Sequence, residues 1–346
     1  MADHCCPTPS QKKKPDFLFW GSLSVVTIGY ILFLFPIGDQ HGWFSHFTHS
    51  VFELMNKMWI GLVLGIFFVG VLGKIPREFV ISVIGKPGTF TGILRATLAG
   101  LLLDLCSHGI LLVGLKLYER GASIGQTMAF LIASPWNSLT LTIILMTLIG
   151  WKATLVFILL SAVIAIVSGV IFDHFEKTKT LPQNPNKVEL PENFSFWNEA
   201  KINLSKTKMN FSFFSSIAKE GFKDSKMILK WIFVGVALAS FIRVLVPADL
   251  YQSLFGPTLK GLGLTLGFAT IIEVCSEGLA PVAADLVTRA KALGNGFAFL
   301  MAGVSTDYTE IMGLKERTKS WKIALFLPLV TIPQILILGY LLNKFF

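Results

Sequence analysis

Apolar residues come in blocks of about twenty, and about twenty residues of α-helix are what it takes to cross a hydrocarbon core of about 30 Å. Blocks of this kind occupy 17–36, 58–73, 154–172, 227–246 and 323–342. Three more stretches, around 93–118, 122–149 and 259–306, are as apolar but broken by polar residues. Charged residues make up only 15% of the chain, against about 25% in a soluble domain. So few charges cannot clothe a water-facing surface, and the mean hydropathy of +0.65 agrees. The pattern predicts an all-α polytopic membrane protein embedded in a lipid bilayer, not a soluble enzyme.

Charge then assigns sides. A net charge of +9 fits a nucleic-acid binder in principle. Here, however, Lys and Arg cluster in short loops between apolar blocks, as the positive-inside rule requires, and no aromatic–basic pattern of a nucleic-acid reader occurs. The tail 1–16, with Lys12, Lys13 and Lys14, reads as cytoplasmic. The apolar run after it is too long for a signal peptide and is followed by no small-residue cleavage site, so it reads as an uncleaved first span. Residues 37–50 lack Lys and Arg and suit the outer side, while Lys74, Arg77 and Lys86 mark the inner side again. The hydrophilic stretch 174–225, with Pro182, Pro185 and Pro191, reads as a cytoplasmic linker. The expected organisation is a tail (1–16), a first span with its outer loop (17–50), a membrane repeat (51–173), the linker (174–225) and a second membrane repeat (226–346).

The two halves are related. Residues 92–133 align without gaps on 261–302 at an offset of 169, with 12 identities in 42 positions. They include Gly92/Gly261, Cys106/Cys275, Ser107/Ser276, Gly109/Gly278, Arg120/Arg289 and Gly125/Gly294. Shared apolar composition does not place Cys, Ser, Gly and Arg in register. Internal repeats are frequent in secondary transporters, whose sites lie on broken helices near the midplane. If 93–118 crosses once, 122–149 dips in and returns as a hairpin broken at Ser134-Pro135, and 153–173 crosses, the linker falls on the cytoplasmic side and the repeats are inverted.

The polar interruptions carry the chemistry. The first half reads Asp104-Leu105-Cys106-Ser107-His108-Gly109 and the second Glu273-Val274-Cys275-Ser276-Glu277-Gly278. A charge at membrane depth costs about 2.5–3.5 kcal/mol on insertion scales, so such residues face a cavity, an ion or one another. Cys106 and Cys275 offer soft sulfur, His108 an imidazole, and Asp104, Glu273 and Glu277 hard oxygen. Sulfur with imidazole suits Zn or Cu(I), and a thiolate also suits trivalent arsenic. The bland alternative is that each Cys is a small buried hydrophobe. Downstream, Ser134-Pro135-Trp136-Asn137-Ser138 and Gly303-Val304-Ser305-Thr306-Asp307 interrupt the helices again. Asn137, Thr306 and Asp307 are candidate oxygen ligands there, or simply satisfy freed backbone groups. Gly109, Pro135, Gly278 and Gly303 are the expected helix breaks. Asp285 and Glu310 are candidate proton carriers. His4-Cys5-Cys6 could capture a soft metal or be an unstructured start. The four cysteines form no disulfide framework, and no cofactor is expected.

On the Cys-Ser-x-Gly motif, Gly121-Ala-Ser-x-Gly125 and Ala129-Phe-Leu-Ile-Ala-Ser-Pro135, the sequence resembles the predicted-permease family that includes bacterial organoarsenical exporters and Cu/Zn efflux transporters. The likeness covers roughly residues 50–346. It implies efflux across the bacterial inner membrane. Many members carry Cys-Ser-Cys-Gly in the first motif, and here His108 stands at the second Cys, which leaves two core thiols and tilts the expectation toward a borderline metal cation exchanged for protons. No Gly-x-x-x-x-Gly-Lys-Ser/Thr loop is present for ATP, and no His-Glu-x-x-His for a metalloprotease. A permease for another solute, or a membrane metal sensor or subunit, is the competing reading. Replacing Cys106 and Cys275 separates them, since a transporter loses flux whereas a sensor loses a downstream response.

Overall fold

The computed structural model describes residues 17–35, 42–75, 77–103, 107–134, 139–187, 210–245, 255–272, 276–288 and 290–345. All regular elements among them are helices. The first half comprises α1 (Phe17–Leu34), α2 (Trp43–Lys74), α3 (Arg77–Ile84), α4 (Phe90–Leu102), α5 (Ser107–Glu119), α6 (Ile124–Ile132), α7 (Leu139–Ile149) and α8 (Trp151–Lys177). The second comprises α9 (Phe211–Leu245), α10 (Leu259–Ile272), α11 (Ser276–Thr288), α12 (Leu293–Thr306), α13 (Tyr308–Thr318) and α14 (Trp321–Phe345). Helices α1, α8 and α14 are long and apolar enough to cross a membrane. They leave Ile28, Leu155, Leu159, Leu329 and Ile337 exposed, and an apolar surface of that extent calls for lipid rather than water.

Close helix contacts fix the path of the first half. Gly92 faces Gln126 at the starts of α4 and α6, and Gly100 faces Phe130 and Ala133 at their ends, so these helices are parallel. Helix α8 runs the other way, with Gly169 and Asp173 against Gly125. Helix α5 returns to the end where α4 began. Asn184, just past α8, donates to the carbonyls of Tyr118 and Ala122 at 2.7 Å each, and Lys177 donates to the Gly88 carbonyl at 2.9 Å. Helices α4 and α5 are therefore the arms of a hairpin that enters and leaves by one face, called here the linker end. Helices α6 and α7 together cross to the far end, where Trp151 opens α8.

This exchanges two elements of the expected topology, since the hairpin is 90–119 and the crossing is 124–149. Length explains it. Helices α4 and α5 have 13 residues each, about 20 Å and short of a full crossing. The 9 and 11 residues of α6 and α7 add to about 30 Å. The boundaries of two other segments shift as well. Helix α2 starts at Trp43, inside the expected outer loop, and α9 starts at Phe211, inside the expected linker.

The second half enters from the opposite face. Helices α2 and α9 are antiparallel, with Gly221 on Ile66 and Gly70, and Ile217 on Gly70. A Cβ on Gly294 would fall on the Gly339 carbonyl oxygen, which brings the start of α12 to the end of α14. Asn295 Nδ2 donates to the carbonyls of Phe255 and Gly256 at 3.2 and 3.1 Å, fixing the start of α10 there too. Helix starts recur at the spacing seen in the sequence: Phe90/Leu259, Ser107/Ser276, Ile124/Leu293 and Leu139/Tyr308 are each 169 residues apart. Local devices recur with them. The Thr89 and Thr258 hydroxyls accept from the Gly92 and Gly261 amides at 3.2 and 3.0 Å. Gln126 and Asn295 each tie down carbonyls of the loop before the preceding hairpin. Gly150 and Lys319 both turn the chain at positive φ, 87° and 54°.

Because the Gly125 and Gly294 crossings leave no room for a side chain, Gly125→Val and Gly294→Val should each destabilise the protein by about 1–3 kcal/mol or more through overpacking. At Gly267 a Cβ meets nothing, so Gly267→Ala should be neutral or stabilising by up to about 1 kcal/mol. Thermal unfolding in detergent micelles checks the contrast.

Candidate functional site

The hairpins and the broken crossings stop at the same depth. Ser107 opens α5 twelve residues before Glu119, which puts it about 18 Å in from the linker end. Ser276 opens α11 twelve residues before Thr288, about 18 Å in from the far end. Within a core of about 30 Å both lie near the middle. Helices α5 and α13 run side by side. Arg317 bonds Glu119, and a Cβ on Gly313 would stand 3.2 and 3.5 Å from Leu111 and Leu115. That register places the first residues of α5 and α13 at one level, where each helix N-terminus carries a partial positive charge.

Ser107 and His108 are buried at the start of α5, with Ser107 Oγ 3.4 Å from His108 Nδ1. Thr306 and Asp307 are buried at the junction of α12 and α13, where Asp307 occupies the N-cap position. The Thr306 hydroxyl lies 2.8 Å from that of Thr270 near the end of α10, so this junction is tied to the second hairpin. Glu310 is also buried, in the first turn of α13, whereas Asp285 is exposed on α11. Trp231 of α9 packs edge-on against Tyr308 with ring centres 5.5 Å apart, walling this level on one side.

The expected glycine breaks are corrected. Gly109 and Gly278 lie inside α5 and α11, and Gly303 inside α12, so the helices break before Ser107 and Ser276 and after Thr306. Gly109 serves packing instead, because a Cβ on Gly65 of α2 would stand 2.9 Å from its Cα. Asp104, Cys106, Pro135, Asn137, Glu273, Cys275, Cys5 and Cys6 lie outside the described residues, and Ser276, Glu277 and Gly278 are described only as part of α11. By sequence, Asp104 and Cys106 fall between Leu102 and Ser107, and Glu273 and Cys275 between Ile272 and Ser276. Among the described residues, no three His, Cys, Asp or Glu stand together as a metal site. Sequence reasoning missed Thr270 and Trp231. Neither belongs to a motif, and only the fold brings them to the junction.

An all-helical bundle with lipid-length apolar helices on its surface and broken helices at its centre is a polytopic integral membrane protein. The chain belongs to the family described as predicted permeases, whose match spans residues 42–344. It is 26% identical over 241 residues to Rv2963 of Mycobacterium tuberculosis, named as a permease, with 65% of this chain and 59% of that protein covered. It is 23% identical to the UPF0718 protein MJ0584 of Methanocaldococcus jannaschii, covering 76% of this chain and 85% of that one. It is 22% identical to the UPF0718 protein YcgR of Bacillus subtilis, covering 86% and 99%. The match thus spans less than two thirds of the length of the mycobacterial relative. No solved structure matches the chain.

The Thr270–Thr306 contact gives a direct test of the junction. Thr306→Val should cost about 1 kcal/mol of stability, the net worth of a buried hydrogen bond, while Thr306→Ser, which keeps the hydroxyl, should cost less. Thermal melts of the two variants in micelles compare them.

Proposed function

We propose that this permease exports a soft or borderline metal or metalloid species, Zn, Cu(I) or a trivalent arsenical, across a bacterial inner membrane by exchange with protons. One observation carries the reading. The paired sequences Asp104-x-Cys106-Ser107-x-Gly109 and Glu273-x-Cys275-Ser276-x-Gly278 follow α4 and α10 in the chain and run into the first turns of α5 and α11, in two helix pairs that enter from opposite faces to similar depth. Membership in a permease family supports transport, and the donor types support the substrate class.

In this reading Cys106 and Cys275 supply thiolate from the two hairpins, His108 and Glu277 complete the soft-to-borderline set, and Asn137, Thr306 and Asp307 offer oxygen ligands at the broken crossings. Asp104, Glu273 and Glu277 balance charge and exchange protons for the cation. The offset of 169 and the opposed hairpins support two inverted repeats, the arrangement that lets one site open to either face by rocking. The linker and the N-terminal tail are then cytoplasmic, in keeping with their lysines.

The test is the elemental content of cells loaded with zinc, copper, arsenite or a methylated trivalent arsenical. Cells expressing the protein are compared with cells expressing the Cys106→Ala/Cys275→Ala pair. One element should fall with the native protein and recover to the level of non-expressing cells with the pair. If no element differs while both proteins are in the membrane, soft-species efflux is the wrong function.

A further inference from the structure

Four charged side chains from three helices meet at the linker end, about 15–18 Å below the level of Ser107. Lys116 of α5 is buried, and its Nζ lies 2.5 Å from Asp224 of α9 and 3.1 Å from Glu119. Arg317 of α13 bonds Glu119 and also donates to the Asp224 backbone carbonyl at 3.2 Å. Lys230 of α9 adds a second α9–α13 pair with Glu316 at 3.4 Å. These bonds join an arm of the first hairpin to two helices of the second half, across the space beneath the aligned starts of α5 and α13.

The positions 169 residues away from Glu119, Asp224 and Arg317 are the uncharged Thr288, Met55 and Leu148. The Thr288 hydroxyl donates to the Ala284 carbonyl of its own helix, Met55 packs into the apolar core, and Leu148 is exposed.

We propose that Lys116, Glu119, Asp224 and Arg317 form an ionic gate that closes the linker end of the central level, so that the conformation described here is shut toward that end. The chemistry suits a gate better than a permanent joint. Lys116 and Arg317 are 8% and 16% exposed, but their partners Asp224 and Glu119 are 36% and 29% exposed, so water reaches one side of each pair and can replace it on opening. Permanent joints elsewhere in this bundle are made of glycine against backbone, as at Gly125 and Gly294. Opening the linker end exchanges the Lys116–Asp224 and Arg317–Glu119 contacts for hydration and leaves the apolar packing of α5 on α13 to part.

This rests on the permease reading, but its test needs no transported species, so it fails or stands separately. The reporter is Leu115→Cys, fully buried between α5 and Gly313, one turn inward of Glu119. A membrane-impermeant maleimide is applied to each face of sealed vesicles, and the protein without the reporter supplies the background. Labelling from the linker end should be slow in the parent. It should rise roughly five- to tenfold in Glu119→Gln/Asp224→Asn, the change expected on losing exposed ion pairs, and fall again in Lys116→Asp/Asp224→Lys, which restores the pairing reversed. Labelling from the far end should not change. A second reporter, Leu111→Cys, repeats the test one turn deeper should the first disturb folding. Unchanged labelling in the neutralised variant overturns the gate, as does a rise from both faces, which marks general loosening.

Discussion

A backbone N–H or C=O without a partner in hydrocarbon costs several kcal/mol, yet eight helix ends of this chain stop near mid-depth. They are the ends of α4, α6, α10 and α12 and the starts of α5, α7, α11 and α13. Such ends are tolerable only where protein encloses them. Every residue of α5 from Ser107 to Tyr118 is buried, as is all of α6 and α12 from Gly294 to Thr306. The unbroken helices α1, α8 and α14 take the lipid-facing positions. The division of labour between whole and broken helices follows from backbone satisfaction before any question of substrate arises.

Enclosure in turn demands close packing, and lipid supplies no hydrophobic drive for helices to meet. Small residues that let backbones approach do the work instead. Gly65 meets Gly109, Gly70 meets Gly221, Gly125 meets Gly169 and Gly294 meets Gly339. Each crossing seats a broken helix or a central long one. With the walls this tight, the helix ends at the centre keep their partial charges, positive at the starts of α5 and α13.

The sequence made the all-helical membrane class legible, because blocks of about twenty apolar residues are a local pattern with a length. It misassigned the hairpin. Charge could not have prevented that: whether 90–119 or 122–149 is the hairpin, one crossing fewer results, and the lysines of 174–187 land on the same side. Pro135 favoured the wrong choice, since a proline marks a break in a crossing helix as readily as a turn. The better signal was length, 13 residues in each arm around the Cys106 motif. Contacts such as Thr270 with Thr306, or Lys116 with Asp224 across 108 residues, join positions with no sequence relation and become visible only once the helices are placed.

What separates the two halves is the kind of bond each uses for the same task. The second residue of the crossing helix is Gly125 in one half and Gly294 in the other. Gly125 donates to the Asp173 carboxylate at 2.9 Å, Gly294 to the neutral Asn343 amide at 2.7 Å. Around Asn343 the ties remain uncharged, running to Asn295 and on to Thr265 and the Phe255 carbonyl. Around Asp173 they are ionic, with Glu176 accepting from the Asn184 amide and pairing with Lys187. The Glu176 side chain is 2% exposed, so its pair with Lys187 is screened by salt far less than a pair in open water would be. The two halves thus hold elements at the same spacing with different chemistry, an ionic tie at Glu176 and Lys187 in one and neutral amides at Asn295 and Asn343 in the other.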